Sequence, residues 1–180
     1  QDIIARAGEL VGTKNGYVFL LNPETNEMVM RVGVGSYDNL VGTKAKLGVG
    51  LAGQVWETGQ AIAVDDYRSW SGRLADSSRD ILRAVVGVPL ISENRVIGVI
   101  GLAHLDADKR FGSVELDVLN RFASLAALTL DNAQLYEASQ RELTQRRNTE
   151  EFLDSILENL PTMLFVKEAA DLRFVRWNKA

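Results

Sequence analysis

The sequence predicts an α/β fold of the α+β kind: an antiparallel hairpin at the centre of a sheet, helices packed around it, and one long helix towards the C-terminus. Three observations carry this. Residues 84–92 and 96–105 are both rich in Val, Ile and Leu, and only Glu93-Asn94-Arg95 separates them, a polar break that reads as a hairpin turn. Both arms are apolar on both faces, so the hairpin is expected to be covered on each side and to lie in the middle of the sheet. From Ser113 onward apolar residues recur at helical spacing, and no glycine or proline interrupts the chain before Pro161.

The elements follow in order. Residues 2–11 carry Ile3, Ile4, Ala7, Leu10 and Val11 at helical spacing, and residues 12–16 break that pattern. Residues 17–21 (YVFLL) form a short apolar strand, residues 22–26 (NPETN) a turn by composition, and residues 27–34 a returning strand with Met28, Met30 and Val32 on one face. Residues 36–46 are a polar connection.

Residues 48–53 (GVGLAG) match G-x-G-x-x-G. A dinucleotide fingerprint needs a buried strand before it and a long helix after it. Here the preceding TKAKL is polar, and the following helix, residues 51–58, is stopped by Gly59. The expected reading is a tight turn opening a short helix, with Ala52, Val55 and Trp56 facing the core.

Residues 61–64 are a brief strand, and residues 65–80 (DDYRSWSGRLADSSRD) a long polar loop with Tyr67 and Trp70 embedded in it. Loops of this length in compact domains are often functional. Residues 81–83 are expected to close a short helix before the hairpin. Gly87, Gly98 and Gly101 leave space for a packed helix or a small ligand to approach the hairpin backbone.

After a charged loop at residues 106–111, Ser113 is the expected N-cap of the long helix, with Glu115 suited to its first turn. Continuous to residue 159, this helix would be about 70 Å long at about 1.5 Å per residue. Residues 139–151 are almost wholly polar, and apolar residues return at Phe152, Leu153, Ile156, Leu157 and Leu160. Beyond Pro161, residues 163–166 and 172–177 read as two strands, too few for an independent domain.

Composition narrows the function. The chain has 180 residues, enough for one domain with a real core plus additional segments. Its net charge of −4 and the lack of a basic patch argue against a nucleic-acid partner. The absence of cysteine excludes disulfides, thiolate catalysis and thiolate metal sites. No apolar run approaches the roughly 20 residues of a membrane span, and no signal peptide opens the chain. A cytoplasmic domain without membrane contact is expected. Because Gln1 begins inside a helical pattern, the chain is expected to be a piece of a longer protein.

The order of these parts resembles a GAF domain over residues 1–137. The most specific parts are Gly50-Leu51-Ala52-Gly53 with Thr58-Gly59, Val88-Pro89-Leu90, Val96-Ile97-Gly98-Val99, and Asn132-Ala133 before Leu135-Tyr136. Residues 138–160 would be a helical linker. Residues 161–180, with Phe165-Val166 and the stretch from Phe174, resemble the truncated start of a PAS domain. The resemblance implies a central antiparallel sheet with helices on one face and a ligand pocket on the other, under long loops. The arrangement is similar to the sensory half of bacterial signalling proteins such as sensor histidine kinases of two-component phosphorelays. Neither a phosphoacceptor-histidine helix nor an ATP-binding region is present, so this fragment is expected not to be an enzyme, with no catalytic and no metal-ligating residues.

By the same resemblance, a small-molecule pocket would be walled by the hairpin and roofed by residues 65–83. Candidate ligand-binding residues are Tyr67, Trp70, Arg73, Arg79, Val86, Val88 and His104, aromatic groups with a few polar ones, as small-molecule sites have. Arg73 and Arg79 would neutralise an anionic ligand, although on a polar loop the default is a solvated charge. His104, the single histidine, matches the position where phytochrome-like GAF domains hold a histidine against their bilin. Those domains usually anchor the pigment through a cysteine, so a covalent bilin is excluded here, and the cofactor is left unnamed. GAF proteins that reduce methionine sulfoxide also use cysteines. Lys109, Phe111 and Glu115 match a cyclic-nucleotide signature only in the part shared by GAF domains generally.

Two functions stay open: a sensor whose occupied pocket shifts the output helix, and a structural dimerisation and relay module whose pocket its own side chains close. In either case a homodimer through the N- and C-terminal helices is expected, from Ile3, Ile4, Leu125, Leu128 and Leu135.

Overall fold

The computed structural model describes residues 2–74, 79–159, 161–162, 165–168 and 173–177. The chain divides into two compact units, Gln1–Asp131 and Asn132–Ala180. The first unit holds helix α1 (Asp2–Leu10), strands β1 (Asn15–Asn22) and β2 (Glu27–Val34), and a 3-10 turn at Gly35–Leu40. It continues with β3 (Lys44–Ala45), α2 (Gly50–Thr58), β4 (Ile62–Val64), β5 (Val85–Ser92) and β6 (Arg95–Ala103). Helix α3 (Ser113–Asn159) begins in this unit and runs unbroken for 47 residues, as its uninterrupted sequence predicts.

The six strands make one antiparallel sheet in the order β3-β2-β1-β6-β5-β4. The β5–β6 hairpin is therefore internal, with β1 on one side and β4 on the other. Its turn is one residue shorter than the polar break suggests. Ser92 pairs with Arg95, leaving Glu93 and Asn94 as a two-residue loop at φ 45° and 66°. Two successive left-handed residues match the twist of the flanking strands, and Arg95 is free to join the ladder.

Side chains alternate across this sheet. On one face Val86, Val88, Leu90, Ile100 and Leu102 pack with Ile4 and Ala7 of α1 and with Leu119, Ala123, Ala126 and Ala127 of α3. On the other face Val85 and Val99, with Tyr17, Phe19, Met28 and Met30, meet Leu51, Ala52 and Val55 of α2. A bulge in β2 corrects the expected face of that strand. Val18 pairs with Val32 but Phe19 with Met30, which leaves Arg31 as an extra residue. Met28 and Met30 thus share the α2 face, whereas Val32 packs on the opposite one. Ile4 is 1% exposed within this core, so it offers nothing to a dimer contact. The side chain of Ile3 lies outside the described residues.

The glycine-rich stretch is a tight turn. Gly48 N–H donates to Gly53 O at 2.9 Å, and a Cβ on Gly53 would lie 2.0 Å from Lys46 O. Only the two-residue β3 precedes it, and Gly59, at φ 64°, closes α2 by donating its N–H to Val55 O. On the hairpin, a Cβ at Gly87 would meet Val55 and Leu51, and one at Gly101 would lie 2.0 Å from the Tyr17 ring. A helix and an aromatic ring therefore occupy the space those glycines leave.

Two further expectations are revised, one short helix and one cap. Residues 81–83 are not helical; a single turn, Leu82 N–H to Arg79 O, leads into the hairpin. At the start of α3 Ser113 is already helical, and the Glu115 carboxylate accepts the N–H of the preceding Gly112 at 3.0 Å. A glutamate reaching back in this way is half of a capping box.

In the second unit the polar part of α3 carries i,i+4 ion pairs Arg141–Glu137, Arg146–Glu150 and Arg147–Glu151, each worth a few tenths of a kcal/mol. Strands β7 (Phe165–Lys167) and β8 (Phe174–Trp177) pair antiparallel. Phe165, Val166 and Phe174 are exposed, as are Phe152, Leu153 and Ile156 on the helix, so the strands are not buried against it. Leu160, Met163, Leu164 and Leu172, and the side chains of Val175 and Trp177, lie outside the described residues. A two-stranded sheet without a core contributes little stability of its own. Deleting residues 162–180 should leave the urea-unfolding midpoint of the first unit unchanged. Loss of cooperative unfolding in that deletion would show that the division into two units is wrong.

Candidate functional site

A cavity of about 270 Å³ opens on the α2 face of the sheet. Its floor is Tyr17 and Phe19 of β1, Met30 of β2 and Val85 of β5; Gly50, Leu51 and Ala52 at the start of α2 form one wall. Tyr37 enters from the 3-10 turn, and the long loop supplies Tyr67, Leu74, Arg79 and Leu82. The aromatic rings brace one another. Tyr17 and Tyr37 lie 4.9 Å apart, edge to face, and Tyr17 meets Phe19 at 5.3 Å. Tyr67 is pinned at both ends: its N–H donates to Arg83 O at 2.6 Å, and its hydroxyl accepts the N–H of Leu74 at 3.1 Å. That second bond sets Leu74 over Gly50, where a Cβ would lie 3.0 Å from its side chain.

Burial pushes the phenols of Tyr17 and Tyr37 well above their ordinary value, because the phenolate would be stranded away from water. The positive charge of Arg79 acts in the opposite sense on both, and burial outweighs it. At neutral pH these hydroxyls are neutral donors beside a cation. Lys44 also borders the cavity, but its ammonium turns outward to Glu27 at 2.7 Å.

Of the sequence candidates, the structure brings Tyr67 and Arg79 to this cavity. Trp70 stands behind Tyr67, ring centroids 5.9 Å apart, and packs on the core without lining the space. Arg73 is a surface residue paired with Asp80 at 3.2 Å. Val86 and Val88 face the α1–α3 core, one residue out of step with Val85. His104 is buried but elsewhere. Its ring stacks on Phe111 at 4.4 Å, and its backbone bridges Ala84 O and the Arg83 N–H, extending the hairpin ladder. Tyr17, Tyr37, Met30 and Leu51 line the cavity and are missing from the sequence candidates; Tyr37, the lone aromatic of a polar connection, was the available clue.

Burial holds the His104 pKa below its ordinary value of 6.5, with Lys109 adding to the effect. The unfolded chain then binds the proton more readily than the folded one. Stability should be full above 6.5 and fall as pH drops through 6.5 towards the folded-state pKa. Urea unfolding across that window, compared with His104→Phe, should show a shallower acid-side loss in the variant; equal slopes would remove His104 as the cause.

Among the described residues no group of three His, Asp or Glu side chains is placed to hold a metal, and no helix is long and apolar enough to cross a membrane. A family model described as a GAF domain matches residues 1–131. The chain belongs to the GAF domain family. GAF domains are a regulatory and sensory fold of signalling proteins.

Solved structures agree on the fold. The chain is similar to the GAF domain of a phosphoenolpyruvate-protein phosphotransferase from Coxiella burnetii, with 20% identity, a TM-score of 0.68, and coverage of 76% of this chain and 82% of that one. It is similar to the GAF-B domain of DevS from Mycobacterium smegmatis, with 20% identity, a TM-score of 0.61, and coverage of 78% and 93%. It is similar to a free methionine-R-sulfoxide reductase from Neisseria meningitidis, with 22% identity, a TM-score of 0.60, and coverage of 75% and 81%. At these identities the likeness is one of fold alone. No curated protein matches the chain.

Proposed function

We propose that the GAF domain is a sensory module that binds a small organic molecule in the tyrosine-lined cavity and relays occupancy through α3. The observation that carries this reading is the cavity itself: apolar and aromatic walls, a roof held by Tyr67 and Leu74, and cationic side chains on its border, Arg79 with Lys44 and Lys46. A few polar groups in an apolar concavity are the usual make-up of a small-molecule site. The relay has a physical route within the first unit. Strand β5 gives Val85 to the cavity floor and Val86 and Val88 to the core packed on α3. A ligand that displaces β5 by a fraction of an ångström is felt on both faces, because close-packed cores transmit strain.

The output would lie downstream, in a PAS unit beginning near residue 161 and, in a two-component system, a histidine kinase. A homodimer suits that role. Leu125 and Leu128 are 64% and 58% exposed on α3, while Ala123, Ala126 and Ala127 face the core. Sedimentation at micromolar concentration should give a dimer, weakened by Leu125→Glu with Leu128→Glu; a clean monomer would count against it.

The second reading, a ligand-free relay module, has its own support: large side chains of the domain already occupy most of this face, and the remaining space is small. Native mass spectrometry of freshly purified protein separates the two. A retained small molecule supports the sensor, and a spectrum of bare protein under gentle conditions supports the closed module. No turnover is expected from the fragment, and none of the reductase chemistry that depends on cysteine.

A further inference from the structure

We propose that the cavity takes a monocyclic aromatic carboxylate, its carboxylate held by Arg79 and the hydroxyls of Tyr17 and Tyr37. This rests on the sensory reading and names the ligand class that would fill the site. Three properties converge on it.

The first is size. At about 270 Å³ the space falls just under the range of about 300–1,000 Å³ typical of drug-sized ligand sites. One ring with a short substituent suits it, whereas a nucleotide or a tetrapyrrole does not. The second is the wall chemistry. Phe19 and Met30 present a ring and a thioether, and both interact favourably with an aromatic guest beyond simple burial. Val85 and Leu51 close the remaining apolar surface. An aliphatic acid of the same length would forgo the ring contacts.

The third is charge. Arg79, Tyr17 and Tyr37 all line the cavity, the two tyrosine rings lie 4.9 Å apart, and the positive charge of Arg79 acts on both phenols. A guanidinium carries five N–H donors in a planar fork that matches a carboxylate, so a contact within the protein leaves donors for a guest. Because burial keeps Tyr17 and Tyr37 protonated, they add donors rather than competing anions. Low polarity around the site strengthens the charge pairing.

The experiment is calorimetric titration of the full 180-residue chain with benzoate and with the isosteric neutral benzamide. Benzoate should bind about tenfold or more tightly than benzamide, the margin of a charge-assisted hydrogen bond. Arg79→Gln should abolish that preference, Arg79→Lys should retain part of it, and Tyr37→Phe should weaken benzoate more than benzamide, whose carbonyl accepts a weaker, neutral hydrogen bond. If Arg79→Gln proves unfolded by circular dichroism, the lysine and phenylalanine variants carry the test. Equal affinities, a preference for benzamide, or an unchanged preference in these variants would overturn the ligand class while leaving the sensory reading in place. Binding of neither compound overturns the class as well. In that case native mass spectrometry decides the wider reading: a retained molecule of another kind preserves it, and bare protein removes both.

Discussion

Replacing Leu102 with alanine should destabilise the GAF domain by about 2–5 kcal/mol, the range for a leucine lost from a packed core. Leu102 is 1% exposed near the C-terminal end of β6, a strand in the centre of the sheet. It packs on the face shared with α1 and α3, and its methyl groups lie over the backbone of β1: a Cβ at Gly16 would meet one at 2.5 Å. Neighbours pinned in a β ladder cannot collapse into the space a truncation leaves, so the cost belongs near the upper end. Ile91, on the same hairpin but 47% exposed, supplies the contrast. Ile91→Ala should change stability by no more than about 0.5 kcal/mol, as surface substitutions do. Urea unfolding of the two variants measures both. Val88→Ala extends the argument to function: it should lower stability while leaving ligand affinity alone, because Val88 faces the helices and not the cavity. Equal losses for Leu102→Ala and Ile91→Ala would mean that the α1–α3 layer is not the stabilising one.

The same pair of residues shows why the fold was legible in the sequence and the site only partly so. An apolar run on both faces announced a central hairpin, and a long interval without glycine or proline announced α3. Those are signals of element type, and they do not depend on register. Assigning Val86 and Val88 to the pocket required knowing which face they present, and a strand buried on both sides carries no alternation to reveal it. A slip of one residue moved the assignment to the wrong layer, with Val85 the true neighbour of the cavity. In β2 the bulge at Arg31 had the same effect by another cause, since a bulge leaves no mark in a hydrophobic pattern.

The long loop borders the cavity, yet of its four candidates only Tyr67 and Arg79 reach it. Loop residues are placed by individual hydrogen bonds, such as the one from Leu74 N–H to the Tyr67 hydroxyl, and composition does not encode those. Tyr37 was overlooked for a related reason. Its polar neighbours suggest solvent, while the 3-10 turn aims its ring inward to pack on Tyr17 at 4.9 Å.

Gly53→Ala is expected to destabilise the domain by about 1–3 kcal/mol or more, although the same change inside an ordinary helix stabilises by about 0.5–1 kcal/mol. Gly53 sits in the first turns of α2, where alanine is the better helix former. Packing reverses the sign. The added Cβ would lie 2.0 Å from Lys46 O, an atom of the backbone rather than the end of a flexible side chain. The turn cannot move aside freely, because Gly53 O accepts the N–H of Gly48 and Val49 N–H donates to Lys46 O. To fit, either the turn at residues 46–49 or the start of α2 must shift, and Leu51 and Ala52, which wall the cavity, would shift with it. Ligand affinity should therefore fall together with stability. Gly12→Ala separates this steric effect from backbone strain. Gly12 has φ 72° with nothing within 4 Å of the Cβ position, so its cost is confined to the left-handed conformation, about 1–2 kcal/mol, and the cavity should be untouched. Urea unfolding and benzoate titration on both variants give the comparison. A Gly53→Ala protein as stable as the parent would show that the loop does not press on α2 here, and the reading of G-x-G-x-x-G as a packing turn would fail with it.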